Sequence, residues 1–130
     1  MISLDTNVVV RVLVNDDHAQ ASRAMKRLRS DNAWVSRTVL LETEWVLRHA
    51  YRLDAAKIRK AFETLLGVAS IDVEDRTEVL RALEWHAQGM DFADALHLAA
   101  SGAARIFVTF DRELTKAAKR AGARPPVAAP

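Results

Sequence analysis

Residues 2–14, Ile2-Ser3-Leu4-Asp5-Thr6-Asn7-Val8-Val9-Val10-Arg11-Val12-Leu13-Val14, decide how the chain is read. Ile2-Ser3-Leu4-Asp5 is a short apolar run closed by an acid, the pattern of a buried strand. Thr6 to Val14 is apolar enough for a buried helix. A strand feeding directly into a helix is the opening of a parallel crossover. In an open parallel sheet, ligands gather at the carboxyl ends of the strands, where Asp5 stands.

Working outward, Ala21, Met25 and Leu28 fall at i, i+4, i+7 on a polar helix from about Asp16 to Ser30. Ala33 to Ser36 is a second strand. Thr38 to Tyr51 is apolar nearly all round, so this helix is expected to be largely buried. The next helix carries Ile58, Phe62, Leu65 and Leu66 on one face and stops at Gly67. Val68 to Val73 is a third strand. Glu74 to Gln88 puts Val79, Leu80, Leu83 and Ala87 on one stripe, and Phe92 to Ser101 turns Phe92, Ala95, Leu96 and Ala99 inward. Ile106 to Phe110 is strand four, and Asp111 to Ala121 is a last helix ended by Gly122. Strands alternating with helices predict an α/β fold, a three-layer α/β/α sandwich around a four- to five-stranded parallel sheet. Residues 1–122 read as one domain. Residues 123–130 form a Pro/Ala-rich tail with room for a short edge strand.

The chain has 130 residues, 50% of them hydrophobic, which suits a single domain and excludes a disordered chain. It has no cysteine, so disulfides, thiolate zinc sites and cysteine nucleophiles are excluded. The longest unbroken apolar run, Leu65 to Ala69, is far too short to span a membrane. Met1-Ile2-Ser3-Leu4-Asp5 does not open a signal peptide, and a soluble, cytoplasmic protein is expected. Nineteen Lys and Arg against seventeen Asp and Glu give +2, which permits a nucleic-acid partner without demanding one.

The acids carry the chemistry. Asp5 follows strand one and Asp111 follows strand four; for either alone, capping the next helix is the simpler explanation. Asp91 and Asp94, at i and i+3, share one face at the start of a helix, with Asp91 suited to the cap. Glu42 lies in Thr38-Val39-Leu40-Leu41-Glu42-Thr43-Glu44-Trp45-Val46-Leu47, a stretch expected to be buried. A buried carboxylate needs a cation, either Arg37 or Arg48 or a metal ion. Glu44 competes for that role, but Val39, Val46 and Ala50 flank the Glu42 face at helical spacing. Converging carboxylates repel one another, and a hard divalent ion removes that cost. Oxygen ligation without Cys points to Mg²⁺ or Mn²⁺.

Four blocks, Ile2-Ser3-Leu4-Asp5-Thr6-Asn7-Val8, Leu41 to Arg48, Asp91-Phe92-Ala93-Asp94-Ala95-Leu96-His97-Leu98-Ala99 and Val108-Thr109-Phe110-Asp111, together resemble PIN-domain ribonucleases. The subgroup they most resemble is the VapC-type toxins of bacterial toxin–antitoxin systems. The resemblance covers nearly the whole chain in the family's order. It implies an acidic quartet of Asp5, Glu42, Asp94 and Asp111 holding one or two Mg²⁺ or Mn²⁺ ions as the catalytic centre of an RNA endonuclease. Thr6, Asn7 and Thr109 would be supporting polar groups, and Asp91 matches a frequently acidic position while remaining the better cap. The resemblance also implies an RNA substrate, a cognate small antitoxin and a homodimer.

Metal-activated water attacking phosphorus in line would leave 5′-phosphate and 3′-hydroxyl ends. Arg11, Arg37, Arg48 and Arg112 are candidates for phosphate contacts. His97, one turn from Asp94, suits a half-buried helix position better than a Mg²⁺ ligand. Trp34, Trp45 and Trp85 could stack on bases, though aromatics at core spacing are ordinarily packing. A haloacid-dehalogenase-like phosphohydrolase also begins with a strand ending in Asp, but its second acid would fall where this chain has Asn7. A receiver-like module lacks its acid pair here, and a non-catalytic PIN-like binding module would have no use for four clustered acids.

Overall fold

Most helices begin where a short polar side chain takes over an orphan backbone N–H. Asp17 accepts from Gln20 N, Ser36 from Val39 N, Asp54 from Lys57 N and Asp91 from Asp94 N. Their stops are equally local: Asn15 and Gly122 take left-handed conformations with φ of 57° and 62°, closing the first and last helices.

The computed structural model describes residues 1–130, which divide into two compact units, Met1–Arg76 and Thr77–Pro130. The first unit runs β1 (Ile2–Ser3), α1 (Thr6–Val14), α2 (His18–Ser30), β2 (Ala33–Val35), α3 (Arg37–His49), α4 (Ala55–Leu66) and β3 (Ile71–Val73). Its sheet is parallel, in the order β1-β2-β3, with Ile2 opposite Ala33 and Ala33 opposite Ile71. Helix α1 packs on α2, α3 and α4, and α4 packs on β3. The stripe Ile58, Phe62, Leu65 and Leu66 is buried as its spacing predicts, each side chain contributing about 2 kcal/mol.

The second unit holds nearly all of α5 (Arg76–Ala87), then α6 (Phe92–Ala99), β4 (Phe107–Val108), α7 (Arg112–Ala121) and β5 (Val127–Ala128). Strand β5 lies in the proline-rich tail and pairs in parallel with β4, Phe107 opposite Val127. On α6, Phe92, Ala95, Leu96 and Ala99 are buried as expected. On α5 the buried stripe is Val79, Ala82, Leu83 and His86, at i, i+3, i+4, i+7, whereas Leu80 and Ala87 are exposed.

The protein is α/β, with seven helices and five short parallel strands. The strands sort into a three-stranded and a two-stranded sheet rather than the one sheet expected. Of the run Ile106 to Phe110 only Phe107 and Val108 pair, and Ile106, Val108 and Phe110 are exposed. No helix is long and apolar enough to cross a membrane.

Candidate active site

In the first unit, Asp5 occupies the N-cap position of α1 with extended backbone, yet its side chain makes no capping bond. Its carbonyl oxygen accepts from Val8 N at 3.1 Å and Val9 N at 3.2 Å, so the chain itself closes the turn. The carboxylate is exposed and faces a hollow of about 540 Å³ that Glu42 also lines, with Thr6, Asn7 and Tyr51 around it. Strand β1 and helix α3 therefore bring two of the four expected acids to one place.

Glu42 itself is exposed, contrary to the expectation that it is buried. The buried acid of α3 is Glu44, only 2% exposed and bound to Arg48 through Nε at 3.0 Å and Nη2 at 3.2 Å. The inward face of α3 is Leu40, Thr43, Glu44 and Leu47, at i, i+3, i+4, i+7, while Trp45 is 56% exposed. An ion pair thus explains the buried carboxylate, and Glu42 faces outward into the hollow.

Beside Glu42, Arg11, Asp16 and Tyr51 are bound together. Arg11 donates to Tyr51 Oη at 3.0 Å, to Asp16 Oδ1 at 3.2 Å and to Gln20 Oε1 at 2.7 Å. Tyr51 Oη donates in turn to Asp16 Oδ2 at 2.7 Å. That last bond is the main cause holding the Asp16 carboxyl below its ordinary range and pushing the Tyr51 phenol up. Sequence alone gave no signal for this cluster, because Asp16 and Tyr51 are far apart along the chain. Two of the other expected phosphate-binding arginines are also engaged: Arg37 pairs with Glu74 and Asp75, and Arg48 with Glu44. Arg112 is exposed at the start of α7.

In the second unit, Asp94 is half-buried at the start of α6. Burial pushes its carboxyl up, the charges of Asp91 and Asp111 push it further, and His97 opposes them. Asp91 and Asp111 therefore lie near enough to act on Asp94. Asp91 is the cap of α6, as expected. Asp111 caps α7 twice through Oδ1, accepting from Glu113 N at 2.9 Å and Leu114 N at 3.2 Å, which leaves Oδ2 without a partner. Asp111 N donates to Thr109 Oγ1 at 3.0 Å, so Thr109 fixes the loop that presents this acid.

Neither unit draws three or more His, Asp or Glu side chains of its own into a metal cage. The donor chemistry nonetheless suits a hard cation: every donor is a carboxylate oxygen, and neither Asp94 nor Glu42 has a cationic side chain bound to it. The family model described as "PIN domain" matches residues 2–120. No curated protein matches the chain. PIN domains are generally metal-dependent nucleases. With nearly its whole length covered by that match, the chain belongs to the PIN-domain family.

Proposed function

We propose that the protein is a Mg²⁺- or Mn²⁺-dependent endoribonuclease whose Asp5, Glu42, Asp94 and Asp111 together hold one or two ions. The observation that carries this reading is Asp5: it stands at a helix N-cap without capping, and faces the hollow that Glu42 lines. An acid whose structural task is done by the backbone is available for ligation. Residues 1–122 acting as one PIN-like domain with three-layer α/β/α packing belong to the same reading.

Asp5 and Glu42 would serve as ligands from the first unit. Asp111 would offer Oδ2 while Oδ1 keeps its cap, and Asp94 would give up its raised proton affinity to a cation. Asp91 stays on the α6 backbone, and Thr109 holds the Asp111 loop. Thr6, buried, and Asn7, exposed, border Asp5 as polar neighbours. When bound, the metal supplies activation of water and neutralisation of a phosphodiester's developing charge. No side chain need act as nucleophile, so products carry 5′-phosphate and 3′-hydroxyl ends.

Toxin of a VapBC-type pair is the finer part of the proposal, with a small antitoxin and a homodimer as its partners. The test is RNA cleavage by purified protein with Mg²⁺ or Mn²⁺, the product ends identified, alongside Asp5→Asn with folding verified by circular dichroism. Cleavage by the Asp5→Asn variant at the wild-type rate, or 2′,3′-cyclic phosphate ends, would refute the metal-centre assignment. Growth arrest on expression alone, relieved by co-expressing the neighbouring small open reading frame, supports the toxin role. Harmless expression alone contradicts it.

A further inference from the structure

A second hollow, of about 710 Å³, lies beside the Asp5–Glu42 hollow in the first unit, and Asn7 and Arg11 line both. Its other wall is α2, which contributes Arg23 and Arg27 one turn apart, with Gln20 and Ala24 between and beside them. Arg11 is bound to Asp16, but Arg23 forms no ion pair, and Arg27 pairs with Asp31 at 3.2 Å only at the surface. Such an exposed pair is weak and leaves the guanidinium within reach of a polyanion. Helix α2 carries Arg23, Lys26, Arg27 and Arg29 with no acid among residues 18–30, four cations on one element of a chain whose net charge is +2.

We infer that this hollow is the track for single-stranded RNA on one side of the cut, with Arg23 and Arg27 binding its phosphates. The inference rests on the nuclease reading and deepens it. Acidic and basic hollows joined at Asn7 and Arg11 divide the work of a nuclease. Away from any bound cation, carboxylates repel a polyanion, and the guanidiniums of the adjoining hollow are suited to anchor the strand beyond the cut. The floor of the hollow is the outer edge of β1, which pairs only with β2. An extended acidic peptide could in principle add there, but β1 is two residues long, a poor template for strand addition. The charge on α2 favours a nucleic-acid backbone.

The test uses the full chain in EDTA, so that binding is read without cleavage. Fluorescence anisotropy follows a short labelled single-stranded RNA of mixed sequence across a salt series. Arg23→Gln/Arg27→Gln should weaken binding about tenfold and reduce the slope of log K against log salt by about 1.4. Lys57→Gln/Lys60→Gln on α4, with the same change in net charge and outside the hollow, should stay within about twofold. Wild-type affinity and slope in the arginine variant, with cleavage still abolished by Asp5→Asn, overturn the track and leave the nuclease reading intact. Unchanged RNA binding with lost affinity for a labelled glutamate-rich peptide overturns it in favour of the peptide. Cleavage unaffected by Asp5→Asn overturns both readings.

Discussion

The Arg48 guanidinium holds the buried Glu44 carboxylate one turn before it on α3, with bonds at 3.0 and 3.2 Å. That pairing separates the two acids of this helix, one structural and one facing the candidate metal site. Arg48→Ala should lower the stability measured by urea denaturation by about 2 kcal/mol, because a buried carboxylate loses a charged partner. Glu42→Gln should leave stability within about 0.5 kcal/mol, as exposed substitutions do, while abolishing RNA cleavage. Normal cleavage by Glu42→Gln would reverse the assignment.

Thr43 is fully buried on the same helix, and its Oγ1 has no hydrogen-bond partner. Thr43→Val keeps the branched shape and removes an unsatisfied hydroxyl, so stability should rise by about 1 kcal/mol. Thermal and urea unfolding check this. A loss of stability would show that the hydroxyl is bound.

Asp111 has two tasks that substitutions can separate. Its Oδ1 caps α7, which Asn can still do and Ala cannot. Asp111→Ala should cost about 1 kcal/mol of stability as well as activity. Asp111→Asn should cost activity with most of the stability kept. Asp5 caps nothing, so Asp5→Ala and Asp5→Asn should unfold alike. A clear stability gap between the two Asp5 variants would contradict its uncapped geometry.

Asp94 predicts a pH dependence. Burial and the neighbouring acids raise its pKa in the folded protein, so the folded state binds its proton more tightly than the unfolded chain. Its contribution to stability is complete below the unfolded pKa and is lost as pH rises through the folded pKa. In EDTA at neutral pH, Asp94→Asn should therefore have a higher urea midpoint than wild type, and the gap should close in acid. Added Mg²⁺ should raise the wild-type midpoint more than that of the variant. An Asp94→Asn midpoint equal to or below wild type at neutral pH would contradict this.

Much of this molecule is legible in its sequence, for physical reasons that also mark where legibility stops. Helix α1 spans the residues its apolar run predicts, and the buried faces of α4 and α6 follow from 3.6-residue spacing. Helix α3 defeated the same reading because Trp45 and Val46 are apolar without being core. Apolar composition all round hides which stripe turns inward, and with it whether Glu42 or Glu44 is buried. The division of the strands into two sheets was not legible either, since ladders of two or three residues leave little pattern to read. Asp91 and Asp111 show caps that sequence anticipates. Asp5 shows the opposite, a cap position whose side chain makes no capping bond, which residue type and spacing do not signal.

The most direct measurement is calorimetric titration of Mn²⁺ into the wild-type chain and into Asp5→Asn, Glu42→Gln, Asp94→Asn and Asp111→Asn. Saturable uptake by wild type, lost or sharply weakened in all four variants, is the predicted result. No uptake by wild type, or undiminished uptake by variants from either unit, would show that these four carboxylates do not share an ion.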